Sequence, residues 1–118
     1  MNQHTTFDNA LTDVRIFTME TEVSDLRPLI EKLLPDQGCI EVQRDVAHKE
    51  HAWHHHDTDE TLVILDGAVR FYWDGGERIC EPGSVISLPA GVRHGSVALE
   101  NGATYLIAFH NAQLSHHG

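Results

Sequence analysis

The chain has 118 residues, which is enough to bury one hydrophobic core and too few for two domains. Its 18 Asp and Glu outnumber 8 Lys and Arg, so the formal net charge is −10, and the basic residues are scattered along the chain. Nucleic acid and anionic membrane surfaces both require a concentrated positive face, so we expect neither as a partner.

The first 13 residues are polar and carry no secretory leader pattern. No apolar run in the sequence is long enough to span a bilayer. Both features predict a cytoplasmic protein. Cys39 and Cys80 lie far apart with no CxxC pair, so two reduced thiols are expected rather than a disulfide.

Residues 1–37 predict one strand and one helix that pack on the rest of the chain. Arg15–Met19 has the composition of a strand. Leu26–Leu34 has apolar residues at helical spacing, and Asp25 is well placed as its N-cap. Pro35 then predicts the end of the helix.

Residues 38–110 predict a β-barrel. Segments rich in β-branched and aromatic residues, bounded by turn residues, are CIEVQ (39–43), TLVIL (61–65), AVRFYW (68–73), SVISL (84–88) and ATYLIAF (103–109). Several short strands without intervening helices indicate an all-β sandwich or barrel. The sequence WDGGE predicts a tight hairpin between two of them, in which Gly75 and Gly76 take positive φ angles.

Two of these segments are apolar on both faces, which is unexpected for a strand with one face in water. They are Leu62–Leu65 and Tyr105–Phe109. The second face must therefore be covered by the helix, by another strand layer or by a second subunit. We favour a homodimer.

The segment HAWHHHDTDET contains candidate metal ligands. Strand alternation would place His54 and His56 on one face and His55 on the other. Glu60 follows as the chain enters an apolar strand, where a buried carboxylate needs a positive partner such as a divalent cation. The segment therefore predicts three of the ligands of one metal ion.

The best candidate for a fourth ligand is His94, which follows a turn shaped by Pro89 and Gly91. Two spaced motifs result: HxH(x)3E(x)6G at His54, His56, Glu60 and Gly67, and G(x)5PxG(x)2H at Gly83, Pro89, Gly91 and His94. In order and spacing they resemble the two motifs of the cupin superfamily, in its small single-domain form. The resemblance implies a jelly-roll β-barrel with a metal bound in its mouth by His54, His56, Glu60 and His94.

Two positions depart from the cupin pattern. His48 stands where the family usually has glycine, and Ala98 stands where it usually has asparagine. Neither position is a metal ligand in the family. His48 and His51 could line the pocket, but solvent-exposed loop histidines are the simpler interpretation, and His55 is expected to face outward.

Residues 111–118 predict a polar tail. His110, His116 and His117 lie in or near this tail, which we expect to fray.

Three imidazoles and one carboxylate suit one divalent transition metal ion: Fe, Mn, Ni, Cu or Zn. A redox-active ion predicts a dioxygenase-like oxidoreductase that acts on a small enolic or phenolic substrate, deprotonated with help from Glu60. Zinc would predict a non-redox isomerase, lyase or hydrolase. A third interpretation is a non-catalytic module that binds or senses a metal or small ligand.

Overall fold

The computed structural model describes residues 13–115, which form a seven-stranded antiparallel sheet and one helix. The elements are β1 Arg15–Thr18, α1 Leu26–Leu33, β2 Glu41–Asp45, β3 Glu50–His54, β4 Glu60–Trp73, β5 Gly76–Cys80, β6 Ser84–Leu88 and β7 His94–Ala108. The predicted all-β jelly-roll fold with one short N-terminal helix is confirmed. Residues 1–12 and 116–118, including His116 and His117, lie outside the described residues.

Strands β4 and β7 pair along nearly their whole length, from Thr61 opposite Ala108 to Trp73 opposite His94. At one end of this pair the strand order is β1-β6-β4-β7-β2. At the other end of the pair, β5 pairs with β4 and β3 pairs with β7. Each of the two long strands therefore contributes to both walls of the barrel.

Register irregularities in the middle of the β4–β7 ladder mark the bend between the two walls. Gly67 lies there with a φ of +70°, and a Cβ at this position would overlap the carbonyl oxygen of Gly102. The predicted strands 61–65 and 68–73 are thus one continuous strand, because Gly67 bends the chain without ending the pairing.

The helix α1 is one residue shorter than predicted, and Asp25 makes no side-chain capping bond. Its apolar residues Leu29 and Leu33 are buried. They form an outer core cluster with Met19, Val63, Val85, Leu106, Ala108 and Ala112. The helix therefore covers one face of β4, β6 and β7, and the homodimer stays a prediction.

The inner cluster fills the barrel between the two walls. Its buried members are Ile64, Val69, Phe71, Cys80, Ile86, Leu88, Ala98, Ala103 and Tyr105. Neighbours along a strand alternate between the clusters, as Val63 and Ile64 do on β4. This alternation explains why the strands are apolar on both faces.

The C-terminal segment up to residue 115 is held against the barrel, so the expected fraying at His110 is wrong. The Nε2 atom of His110 donates to the carbonyl of Leu33 at 2.7 Å. The hydroxyl of Thr61 donates to the carbonyl of His110 and accepts from the N–H of Ala112. These bonds give partners to backbone polar groups that would otherwise have to bind water.

The division of the chain into residues 1–37, 38–110 and 111–118 stays a prediction.

The β4–β5 hairpin forms where expected, with Trp73 opposite Gly76. Gly76 has a φ of +155°, but Gly75 does not lie at positive φ, and that part of the prediction is wrong. Glycine is needed at 75 for another reason, because a Cβ there would lie 2.6 Å from the indole nitrogen of Trp73.

Both cysteines are free, as predicted: Cys39 is exposed and Cys80 is buried. Among residues 13–115, no helix has the length and apolar character needed to cross a membrane.

Candidate metal site and adjoining cavity

Three imidazoles meet where β3 ends and β7 begins. His54 is the last residue of β3 and pairs in register with His94, the first residue of β7, while His56 lies just beyond β3. Their ring centroids are 4.3 to 5.2 Å apart, and one ring nitrogen from each lies within 4.8 Å of the others. This three-histidine group could hold a metal ion, and it joins residues far apart in sequence.

Backbone carbonyls orient two of these rings. The Nδ1 atom of His54 lies 2.6 Å from the carbonyl of Ala52, and the Nδ1 atom of His94 lies 2.8 Å from that of Val92. A carbonyl only accepts, so each Nδ1 carries the proton and each Nε2 keeps its lone pair. Metal-binding histidines are oriented in this way, so these residues fit a divalent ion.

His94 is the most buried of the three histidines, at 5% exposure, and its ring stacks on Phe71 with 5.6 Å between centroids. Burial lowers the pKa of His94 to about 4; the bond to Val92 opposes this shift, and the neighbouring His54 and His56 reinforce it. His94 is therefore neutral at physiological pH, which is the form that binds a metal.

Glu60, the first residue of β4, is 8% exposed and lies beside this group. Its Oε2 atom is 3.8 Å from the Nε2 atom of His56. Burial raises the pKa of Glu60, while His56 and His54 oppose that shift. The four predicted ligands are thus gathered at one place, with three imidazoles at its centre and Glu60 at its edge. Their assignment as a ligand quartet stays a prediction.

A cavity of about 350 Å³ opens directly onto the site. Its walls include all four predicted ligands and a set of apolar side chains: Leu62, Ile64, Val69, Phe71, Ile86 and Ile107. A volume near the lower end of the usual range for ligand pockets suits a small molecule. The apolar walls would enclose its carbon skeleton.

A second polar group lies on the cavity wall around His51, for which the sequence analysis favoured a solvent-exposed loop over a place in the pocket. His51 belongs to β3 and lines the cavity, so its interpretation as a solvent-exposed loop residue is wrong. Its Nε2 atom lies 3.1 and 3.0 Å from the two carboxylate oxygens of Asp45. Tyr105 and Gln43 donate to the same carboxylate, at 2.8 and 3.2 Å. No sequence motif links these four residues.

Asp45 is 5% exposed, and burial alone would raise the pKa of its carboxyl group. The hydrogen bonds from Tyr105, His51 and Gln43 outweigh burial and hold that pKa below its ordinary value. Asp45 is therefore a buried carboxylate satisfied by three donors.

Two other histidines lie away from the cavity walls. His55 is exposed and outside the three-histidine group, and it follows the end of β3 at His54. His48 is also exposed, with a φ of +67°.

The sequence profile of the cupin domain matches residues 41–110. No protein with curated annotation matches the chain. Among solved structures, a cupin-2 domain protein from Shewanella frigidimarina is 25% identical with a TM-score of 0.51, over 58% of this chain and 66% of that one. A DUF861 family protein from Thermotoga maritima is 23% identical with a TM-score of 0.58, over 82% of this chain and 99% of that one.

A DMSP lyase from Ruegeria pomeroyi is also similar, at 25% identity and a TM-score of 0.55, over 58% of this chain and 35% of that one. The match thus spans just under two thirds of the Shewanella chain and about a third of the lyase chain.

Proposed function

This chain belongs to the cupin domain family, and on that premise we propose that it is a metal-dependent enzyme acting on a small molecule in the cavity. One divalent transition metal ion, Fe, Mn, Ni, Cu or Zn, would be held by His54, His56, Glu60 and His94. The observation that carries the proposal is the three-histidine group with its nitrogens within 4.8 Å of one another beside an open cavity. A site that only stabilised the fold would need no such cavity.

We propose dioxygenase-like oxidation of an enolic or phenolic substrate. The metal would supply a Lewis acid and, if redox-active, electrons for chemistry with dioxygen. Glu60 would help to remove the acidic proton, because burial raises its pKa and so makes it a better proton acceptor than an exposed carboxylate. The apolar wall would exclude water and hold the substrate beside the histidines.

A non-redox lyase or isomerase is the second candidate. It is favoured by the similarity to the DMSP lyase, at 25% identity. Both candidates need the same proton removal at the metal site and differ in whether the ion changes its oxidation state. A binding or sensing module would use the same cavity without turnover.

The proposal includes a cytoplasmic homodimer that needs neither nucleic acid nor a membrane as a partner. Two free cysteines support the reducing compartment. Val42 on the edge strand β2 is 68% exposed, and Val46 just beyond it is 72% exposed, so a second subunit would find apolar surface there. Light scattering on the intact chain tests the dimer, and a monomer at all concentrations would contradict it.

The first experiment is elemental analysis of the untagged protein beside His94→Ala, with His55→Ala as the matched control. We expect about one metal ion per chain in the wild type and in His55→Ala, and less than about a tenth in His94→Ala. Iron, copper, nickel or manganese would direct the next assay to oxygen uptake with enolic and phenolic compounds, and zinc to lyase or isomerase assays. A wild type that stays metal-free after refilling with each ion would overturn the proposal.

A further inference from the structure

We propose that His51, held by Asp45, is a second proton acceptor of the cavity, separate from the metal ligands. It would take a proton at Nδ1 from a small acidic molecule whose oxygen reaches the three-histidine group. This inference rests on the proposed function and names a second base for the same cavity.

An irregularity in strand pairing brings His51 to this position. His54 pairs with His94, but His51 pairs with Ser96, so three steps on β3 match two steps on β7. In a regular strand, residues three apart point to opposite faces. The extra residue in β3 is a bulge that turns His51 onto the cavity side with His54. Both histidines line the same cavity.

The contacts of His51 determine which nitrogen carries its proton. An ionised carboxylate only accepts hydrogen bonds, so the Nε2 atom facing both oxygens of Asp45 must be the donor. The amide of Gln43 also donates to Asp45, so its 3.3 Å approach to the same Nε2 joins two donors and is no hydrogen bond. In the neutral ring the lone pair is therefore on Nδ1, for which the structure shows no partner among residues 13–115.

The carboxylate of Asp45 would also lie against the positive charge that forms on His51 when the ring accepts a proton. A buried carboxylate beside an imidazole stabilises the imidazolium that forms when the second nitrogen accepts a proton. Tyr105, 5% exposed, and Gln43 anchor Asp45 from two other directions, so the carboxylate keeps its position when the imidazole charges. Asp45 and Tyr105 are thus positioning residues for His51.

The spacing indicates the class of molecule. His94 and Ser96, the register partners of His54 and His51, lie two residues apart on one face of β7, which is about 7 Å. A molecule with a metal-binding oxygen and an acidic C–H or O–H a few bonds away, such as an enolisable carbonyl compound or a phenol, would bridge this distance.

The C–H or O–H bond of the molecule breaks, its electron pair stays on the molecule as an enolate or phenolate, and an N–H bond forms at Nδ1 of His51. The resulting imidazolium faces the Asp45 carboxylate, and the proton leaves later to product or water. Glu60, 3.8 Å from His56, keeps its proposed role as the proton acceptor at the metal site, and His51 would serve a proton that lies farther from that site.

The test uses the full-length metal-free protein at pH 8, so its result does not depend on metal loading. Long-range proton–nitrogen NMR should show His51 neutral with its proton on Nε2. Diethyl pyrocarbonate, which acylates unprotonated imidazole nitrogen, should modify His51. Asp45→Asn should slow that modification by about tenfold or more, because asparagine no longer holds the ring proton on Nε2. The matched control is Glu41→Gln, which removes another cavity-lining carboxylate and should leave the rate unchanged.

Three results would contradict the inference. A proton on Nδ1, or an imidazolium at pH 8, would show that His51 cannot accept a proton from the cavity. Equal acylation rates in the wild type and Asp45→Asn would remove the role of Asp45. If Asp45→Asn does not fold, the wild-type NMR spectrum and Tyr105→Phe, expected to slow acylation to a smaller degree, decide the question. Metal content, measured separately, tests the proposed function.

Discussion

The backbone N–H of His48 donates to the carbonyl of Ala98 at 3.0 Å, so the two positions that depart from the cupin pattern contact each other. The chain continues the pairing one residue on, where the N–H of Ala98 donates to Lys49. At a φ of +67°, His48 is the non-glycine residue that holds a left-handed conformation within residues 13–115. Glycine adopts this conformation without steric cost, which explains why the family usually has glycine at this position.

Replacing His48 by glycine should stabilise the protein. A left-handed conformation costs a residue with a side chain about 1 kcal/mol, which glycine does not lose. We expect His48→Gly to raise the free energy of unfolding by about 0.5 to 1 kcal/mol in urea denaturation, because the greater freedom of glycine in the unfolded chain offsets part of the relieved strain. His48→Ala is the control, since it removes the ring but keeps the strained backbone and should bring no such gain.

Gly67 should be far less replaceable than Gly91. Both lie at positive φ, +70° and +83°, but a Cβ on Gly67 would overlap the backbone of Gly102, whereas one on Gly91 would meet nothing within 4 Å. Gly91→Ala should cost about 1 kcal/mol of backbone strain, and Gly67→Ala about 3 kcal/mol or more. Thermal unfolding of the pair measures the difference, and similar costs would contradict the close approach at the barrel bend.

The hydroxyl of Thr61 should hold the C-terminal segment. Thr61→Val keeps the shape but leaves the carbonyl of His110 and the N–H of Ala112 without their partner, which should cost about 2 kcal/mol. Hydrogen exchange at the Ala112 amide should accelerate in Thr61→Val and stay slow in Thr61→Ser, which retains the hydroxyl. Unchanged exchange in the valine variant would mean that other contacts hold this segment.

The metal-free protein should lose stability in acid through His94. Its pKa is about 4 in the fold, against about 6.5 for an unfolded histidine, so the unfolded chain binds more protons between these values. The stabilisation is complete above about pH 6.5 and is lost as the pH falls toward 4, for a total of about 3 kcal/mol. In urea denaturation with a chelator present, His94→Asn should show a flatter pH dependence; equal slopes would contradict the assignment.

Metal retention should fall below about pH 6, because imidazoles must be neutral to bind a metal. The measurement is metal per chain after equilibration at each pH and removal of free ion. Full retention down to about pH 4 would contradict ligation by three histidines.

The spacing of apolar residues along the sequence predicted the helix and most of the strands, because these elements have a regular period. Motif spacing selected His94 although 37 residues lie between it and His56. The bulge in β3 could not be read from the sequence, because it depends on how β3 pairs with β7. A place in the pocket was therefore only the less favoured of the two interpretations of His51. The contacts of Asp45 with His51 and Tyr105 were not predicted for a related reason, since only the folded sheet brings these residues together.

Among the strands of residues 13–115, β7 is synthesised after the others, yet β2, β3 and β4 all pair with it. While the ribosome is still making the chain, those three strands have edges without their native partner, and they stay exposed until residues 94–108 emerge. His94 is the first residue of β7, so the same event that closes the sheet also completes the three-histidine group. If the three imidazoles bind one metal ion, its capture would therefore follow barrel closure, because a nascent chain stalled before His94 would present only His54 and His56.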